Sequence, residues 1–161
     1  MNEHFREQIF AFLNSLNPKV CTLATVALRG VPHCAVMGYM VLPDFLLLLN
    51  THLHSRKWAN LSNNSNVALT FGCSLENAYL QCEGGAELIF SGEKHFRYES
   101  LYFAEHPDAL KYKAQGETGT ILIKPSWFRF YDFTVEPTQI YEMSFADWLL
   151  DSGLPQAGAK V

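Results

Sequence analysis

Charged residues and paired cysteines are both scarce in this chain. Charged residues make up 17% of its 161 residues and the net charge is −4, so no basic stretch is long enough to neutralise a nucleic-acid backbone. The cysteines form no CxxC pair and have no regular spacing, which favours reduced, buried thiols in a cytosolic protein over disulfides or a metal site. They are Cys21, Cys34, Cys73 and Cys82.

Long hydrophobic runs are missing as well. The longest one, residues 45–49, is far below membrane-spanning length. Polar residues interrupt the N-terminal segment, so it does not have the pattern of a signal peptide. We therefore expect a soluble, cytoplasmic protein that binds neither membranes nor nucleic acid.

Core-forming residues are abundant by contrast, since 48% of the chain is hydrophobic and 14% is aromatic. The length suits one domain over residues 1–161, and part of the apolar surface is expected to close a subunit interface.

Helical spacing predicts an amphipathic helix over residues 3–16, with Asn2 as its N-cap and Asn17-Pro18 as its stop. A C-terminal tail is expected over residues 144–161, with one docked helical turn. The apolar residues of the helix are Phe5, Ile9, Phe12, Leu13 and Leu16, and those of the tail are Phe145, Trp148 and Leu149.

Alternating and β-branched segments predict a mainly β fold with a core over residues 20–134. The first three strands are expected to form a meander, a helix over residues 55–64 to cross to the fourth, and Gly84-Gly85 to form a bulge. A helical region from residue 94, interrupted at Pro107, precedes the last strands. The strands are predicted at residues 20–27, 33–41, 45–50, 67–71 and 79–89, with a final hairpin of 120–124 and 127–134 around Pro125-Ser126. This order fits an α+β, six- to seven-stranded antiparallel barrel, closed or half-closed, with peripheral helices.

The segment from Asn50 to Lys57 concentrates groups that bind phosphate. If Ser55 caps a helix, free amides lie beside its hydroxyl, and Thr51 projects from the preceding strand. Arg56 and Lys57 add two cations, although neighbouring residues diverge by about 100° around a helix and need not contact the same ligand. The alternative is a capped surface helix with ordinary solvated cations.

Other catalytic motifs are weak or missing. His52 and His54 form an HxH pair that would need a third ligand to bind a metal, so we interpret them as polar loop residues at a ligand site. The sequence has no Ser/His/Asp order, P-loop or dinucleotide-binding glycine motif.

Several segments together resemble the pyridoxamine phosphate oxidase-like FMN-binding split barrels. They are the strand from Val20, the turn Arg29-Gly30-Val31-Pro32, Ser55-Arg56-Lys57, Asn66-Val67-Ala68-Leu69, Gly84-Gly85 and the segment from Ile123 to Asp132. The resemblance covers residues 20–132. It implies a split barrel that forms a homodimer, with two FMN molecules bound where the subunits meet.

The resemblance also implies roles for individual residues. Met37 and Gly38 would flank the flavin ring, where a glycine lets a planar ring approach. Tyr79 or Gln81 would contact the flavin. By position, the phosphate would be bound by Ser55, Arg56 and Lys57 beside Asn50 and Thr51, and Trp127 and Arg129 would reach the partner subunit's flavin.

The sequence departs from the true oxidases in two places. Their second strand carries basic residues, whereas residues 35–40 here have no Arg or Lys, and their Arg-x-His pair is replaced by Arg129-Phe130-Tyr131. Oxidation of pyridoxamine phosphate is therefore not expected. The resemblance favours an FMN-dependent oxidoreductase acting on an unidentified small molecule. The alternatives are a non-catalytic flavin-binding sensor, carrier or stress protein, and a split barrel that binds haem or another cofactor.

Overall fold

Eight antiparallel strands form one curled sheet in the computed structural model, which describes residues 3–144. Four helices and a short 3-10 turn, Pro107–Ala109, lie around the sheet. The strands are β1 (Val20–Val26), β2 (Pro32–Gly38), β3 (Met40–Val41), β4 (Leu47–His52), β5 (Asn66–Phe71), β6 (Ala78–Ile89), β7 (Thr118–Asp132) and β8 (Gln139–Ser144). The helices are α1 (Glu3–Ser15), α2 (Arg56–Asn63), α3 (Gly92–Glu105) and α4 (Leu110–Lys113).

The strand order is β2-β1-β5-β6-β7-β4-β3, with β8 also paired to β7. Strand β6 pairs with β7 from end to end. The other edge of β7 is divided, because its first half pairs with β4 and its second half with β8. This division splits the barrel, so the predicted fold class, an α+β split β-barrel with peripheral helices, is confirmed.

Alternating side chains fill the barrel interior. Helix α1 contributes Phe5, Ile9 and Leu13 to this core, and the buried Tyr39 hydroxyl donates to the carbonyl of Leu13 at 2.6 Å. A second apolar cluster lies on the outer face of β4 and β7 and fixes α3 against them. Its buried members are Leu48, Ile89, Tyr102, Phe103 and Leu122.

The predicted bulge is present, but the predicted final hairpin is wrong. The register of β6 and β7 shifts between Glu83 and Gly84, where Ser126 has no opposite residue. Residues 120–124 and most of 127–134 belong to the single strand β7, which runs through Pro125 at the bulge. A proline is tolerated there because the ladder is already interrupted. The sequence pattern also missed β8.

The predicted return strand, residues 33–41, is broken at Tyr39. Its first part, β2, pairs with β1, and its end, β3, pairs with β4, so the two form one bent strand between neighbours. The third strand begins at Leu47 rather than at Phe45, because Phe45 has a left-handed φ of 65° in the preceding turn. The predicted crossover through α2 is confirmed, since β4 and β5 are not adjacent.

The N-terminal helix is confirmed over Glu3–Ser15, whereas Asn2 and the tail after Ser144 lie outside the described residues. Two of the four cysteines differ from the prediction. Cys21 and Cys82 are buried, but Cys34 lies on the outer face of β2 and Cys73 in the turn after β5, so both are exposed. All four are free thiols. None of the helices between residues 3 and 144 has the length and apolar content to cross a membrane.

Two adjacent glycines provide a matched test of the bulge. A Cβ at Gly84 would lie 2.4 Å from the carbonyl oxygen of Lys124, whereas one at Gly85 meets nothing within 4 Å. We expect Gly84→Ala to lower the free energy of unfolding by about 1–3 kcal/mol, and Gly85→Ala to change it by about 0.5 kcal/mol or less. Urea denaturation midpoints measure both. Equal losses would mean that the close backbone approach at Gly84 is not what constrains the bulge.

Candidate functional site

Ser55 begins helix α2 as the sequence predicted. Its Oγ accepts a hydrogen bond from the backbone N–H of Trp58 at 3.2 Å, and its backbone is extended, as an N-cap requires. The helix therefore starts with Arg56 and Lys57 in its first turn. That turn has no acidic residue.

A chain of hydrogen bonds joins this helix to the end of β4. The Thr51 hydroxyl donates to Ser55 Oγ at 3.1 Å, and Lys57 Nζ donates to Thr51 Oγ1 at 3.3 Å. Burial lowers the pKa of Lys57 from its ordinary value. Within residues 3–144 neither Arg56 nor Lys57 pairs with a carboxylate. We call Thr51, Ser55, Arg56 and Lys57 the cation corner.

Side chains of α2 hold the cation corner in place. The buried Asn60 amide lies 3.0 Å from Thr25 Oγ1 and 3.1 Å from His33 Nδ1, which ties the helix to β1 and β2. The Trp58 ring packs on Gly119 of β7, where a Cβ would lie only 2.4 Å from the indole. The position of the helix is thus set by contacts to three strands.

Two cavities follow one another along β2. The smaller, of about 220 Å³, is lined by His33, Cys34 and Ala35 of β2 together with Arg56 and Lys57. The larger, of about 500 Å³, is lined by the next three residues of β2 and by the end of β4. These residues are Val36, Met37 and Gly38, and Asn50, Thr51 and His52. The hydrogen bond from Lys57 to Thr51 joins the linings of the two cavities.

The far wall of the larger cavity comes from the end of α3 and from α4. Tyr102 donates its hydroxyl hydrogen to the Gly38 carbonyl at 3.3 Å, and burial raises its pKa to about 12, which keeps the phenol neutral. A Cβ at Gly38 would lie 2.7 Å from this hydroxyl. Tyr102 therefore lies close against Gly38, because the fold brings α3 over this strand end, and the approach of a planar ring to this glycine stays a prediction.

A buried carboxylate fixes this wall. Glu99 of α3 accepts hydrogen bonds from Thr118 Oγ1 at 2.9 Å and from Lys113 Nζ at 2.7 Å, so it links α3, α4 and the start of β7. Opposite each other on β4 and β7, Asn50 Nδ2 and Thr120 Oγ1 are buried and have no hydrogen-bond partner in the described part of the chain. Asn50 also lines the larger cavity, where a ligand oxygen or nitrogen would satisfy its amide.

The remaining predicted site residues line neither of these cavities. The Tyr79 ring stacks on Tyr131 with ring centroids 4.4 Å apart. Trp127 Nε1 donates to Glu142 at 2.9 Å, and Arg129 Nε lies 3.7 Å from the same carboxylate. Ser55, which lies beside Thr51 and Trp58 at the start of α2, is also outside both cavities. The other predicted site residues outside both cavities are Tyr79, Gln81, Trp127 and Arg129.

These residues nevertheless share a sheet face with the larger cavity. Directly paired residues form a row across five strands and point to the outer face of the barrel. The row is Val36, Thr22, Thr70, Gln81 and Arg129. It runs from the cavity wall at Val36, which is 73% exposed, to Arg129. We call it the outer row.

The histidine pair does not form a metal site with its described neighbours. His52 is the last residue of β4 rather than a loop residue, and it lines the larger cavity, whereas His54 lies exposed in the turn before α2. No three His, Cys, Asp or Glu side chains between residues 3 and 144 converge as metal ligands would.

Sequence reasoning missed most of the far wall. Tyr102, Tyr112 and His106 line this wall, and none of them is among the residues that the sequence predicted for the site. The available signal was the pair His106-Pro107, which marks the end of a helix and places a ring at its C-terminus. Nothing in the local pattern shows that this end faces β2.

Comparisons with known proteins agree with the fold. The sequence model of the family described as pyridoxamine 5'-phosphate oxidase matches residues 5–132. No curated protein matches the chain by sequence.

Three solved structures illustrate the likeness, all at low sequence identity. A pyridoxamine 5'-phosphate oxidase-related, FMN-binding protein from Nostoc punctiforme superimposes with a TM-score of 0.71 at 15% identity, covering 89% of this chain and 91% of its own. A protein from Clostridium acetobutylicum, related to general stress protein 26 of B. subtilis, gives 0.71 at 16% identity, covering 91% and 99%. A heme binding protein from Mycobacterium smegmatis gives 0.65 at 15% identity, covering 81% and 55%.

The family match spans most of the residues that build the barrel, the cation corner and both cavities. The superpositions show the same fold over most of this chain. The chain therefore belongs to the pyridoxamine 5'-phosphate oxidase-like family.

Proposed function

We propose that this protein binds FMN along β2, with the phosphate at the cation corner and the ring in the larger cavity. The observation that carries the proposal is the pair of cations without a carboxylate partner, beside the Thr51 and Ser55 hydroxyls where the two cavities adjoin. A phosphate dianion accepts hydrogen bonds from this set of donors. Bound FMN would supply hydride acceptance and donation.

The distribution of charge around the two cavities favours one orientation of the bound ligand. Arg56 and Lys57 leave two positive charges at the smaller cavity. In the larger cavity Glu105, Asp108 and Lys111 give the lining a formal charge of −1, and Glu105 is also paired with Lys19 outside it, so the lining has no excess of positive charge. The phosphate is therefore favoured at the cation corner and a neutral ring at the other end.

Strand β2 also offers backbone groups to the ring. It ends the strand order and pairs only with β1 among the described strands, so one row of its amides and carbonyls has no strand partner. A flavin ring carries acceptors and a donor on one edge. Asn50 on the opposite wall adds a buried amide that lacks an acceptor.

We infer a flavin-dependent oxidoreductase that acts on an unidentified small molecule. Tyr102, His106 and the residues of α4 would surround the substrate and limit its contact with water. The absence of Arg and Lys from residues 35–40 argues against pyridoxamine phosphate as that substrate. The second candidate is a non-catalytic flavin-binding stress protein, and the similarity in fold to a protein related to general stress protein 26 supports its role in stress. Anaerobic reduction of the FMN-loaded protein by NADH or NADPH distinguishes the two, because only an oxidoreductase needs to accept electrons from a donor.

The test of FMN binding uses the phosphate itself. We expect the unaltered protein to bind FMN, and Arg56→Ala and Lys57→Ala each to weaken FMN binding by about ten- to a hundredfold, since each removes a charged phosphate contact. Riboflavin, which lacks the phosphate, should lose much less affinity in the same variants. Flavin fluorescence titration measures both ligands.

Arg29→Ala removes an exposed cation from the β1–β2 turn and is the matched control. Its FMN affinity should equal that of the unaltered protein. Failure of the unaltered protein to bind FMN would overturn the proposal. Equal losses of affinity for FMN and riboflavin would mean that the phosphate is not bound at the cation corner.

FMN affinity should also depend on pH through Lys57. Its pKa is lowered in the free protein, and a neighbouring phosphate favours the charged ammonium and raises it. The affinity for FMN should therefore be highest at pH values below the lowered pKa of Lys57 in the free protein. It should fall as the pH rises through that pKa, because FMN binding then requires Lys57 to take up a proton.

Arginine keeps its charge at every accessible pH, so Lys57→Arg should remove this fall. Titrations of FMN from neutral to alkaline pH provide the measurement, and riboflavin in parallel reports any titration of the ring. An identical decline in the Arg variant would assign the dependence to another group.

We further propose a homodimer that forms through the outer row, so that Arg129 of one protomer approaches the larger cavity of the other. The row is contiguous with that cavity and carries an exposed Val36. Sedimentation should give a dimer for the unaltered protein and a monomer for Thr70→Arg, which places a charge in the row. Gln115→Arg, in the exposed loop after α4, should remain dimeric. A monomeric unaltered protein would contradict the shared site.

A further inference from the structure

His106 is held in a single tautomer at the end of α3. Its Nε2 lies 2.7 Å from the backbone carbonyl oxygen of Tyr39. A carbonyl only accepts hydrogen bonds, so in the neutral ring Nε2 carries the hydrogen and Nδ1 carries a lone pair. The ring also packs on Tyr102, with centroids 4.8 Å apart, which fixes its plane.

The free nitrogen of this ring lies at the larger cavity. His106 is part of the cavity wall, and its Nδ1 would lie 3.6 Å from a Cβ placed on Gly38, which lines the same cavity. Nδ1 makes no hydrogen bond to residues 3–144. The wall thus presents a neutral, oriented acceptor that has no protein donor.

The other acceptors near His106 are differently engaged. The Gly38 and Tyr39 carbonyls already receive hydrogen bonds from Tyr102 and from His106 itself. The Glu105 carboxylate is paired with Lys19. A ligand N–H that enters this end of the cavity therefore meets in His106 Nδ1 an acceptor that has no protein donor.

We propose that His106 Nδ1 accepts a hydrogen bond from a ring N–H of the molecule bound in the larger cavity, and that this N–H is the N3–H of the flavin. This inference rests on the proposed function. The oxidised flavin ring has several acceptors but a single N–H donor, at N3. Because the other end of the ligand is fixed by the cation corner, His106 would set the position of the ring edge.

The experiment compares FMN with 3-methyl-FMN, in which a methyl group replaces the N3 hydrogen. The unaltered apoprotein should bind FMN about five- to tenfold more tightly than 3-methyl-FMN, the effect of one hydrogen bond. Fluorescence titration measures binding, so no turnover is needed.

Two substitutions separate the nitrogens of the ring. In His106→Gln the longer amide can still donate to the Tyr39 carbonyl, but no acceptor occupies the position of Nδ1. FMN affinity should fall by the same five- to tenfold as in the analogue comparison, and the preference for FMN over 3-methyl-FMN should disappear. In His106→Asn the shorter amide keeps an acceptor near Nδ1 and loses the contact to Tyr39, so part of the preference should remain.

The outcomes distinguish this inference from the function on which it rests. Absence of FMN binding by the unaltered protein overturns the proposed function. FMN binding without a preference over 3-methyl-FMN overturns only the role of His106 toward the flavin. His106 Nδ1 would then be left to accept a hydrogen bond from a second bound molecule. A preference that persists in His106→Gln likewise overturns it, since the methyl group would then be rejected by another part of the site.

Discussion

The pairing of β6 with β7 is the constraint on which the rest of the structure depends. Strand β6 (Ala78–Ile89) pairs along its whole length with β7 (Thr118–Asp132), and the register shifts only at the bulge. Gly84 permits that bulge because the Lys124 carbonyl leaves no room for a Cβ. Beyond the bulge, β7 changes partner from β4 to β8. From that point β4 runs antiparallel along the first half of β7 to His52, opposite Thr118, and α2 follows at Arg56. The pairing of β4 with the first half of β7 therefore sets where the cation corner lies.

The cation corner is costly in the free protein and favourable with an anion bound. Two cations in the first turn of α2 oppose the helix dipole, and burial disfavours the charged form of Lys57. A phosphate dianion reverses both effects. The hydrogen bonds among Thr51, Ser55 and Lys57 hold the donors close together beforehand, which reduces the ordering that binding requires. If these residues formed only a capped, solvated surface helix, both of these costs would have no compensating interaction.

Local patterns predicted the parts of the fold that depend on nearby residues. The stripe of α1, the cap at Ser55 and the bulge at Gly84 each follow from spacing or from one residue's backbone preference. Non-local pairing caused the failures. Pro125-Ser126 has the composition of a turn, yet β6 holds it in a strand, and the exposure of Cys34 depends on which face of β2 meets the core. The far wall of the larger cavity needs α3 to pack on β4, which no local signal encodes.

The cation corner and the far wall of the larger cavity come from different parts of the chain. The cation corner is built from one continuous segment at the end of β4, so short-range sequence can preserve it. The far wall belongs to the α3–α4 connection between β6 and β7, which packs on the outer face of the barrel rather than in its core. Proteins of this fold with about 15% identity include one described as FMN binding and one described as heme binding. The barrel by itself therefore does not fix the ligand, and we propose that in this chain His106, oriented by the Tyr39 carbonyl, is the group on the far wall that selects what the larger cavity accepts.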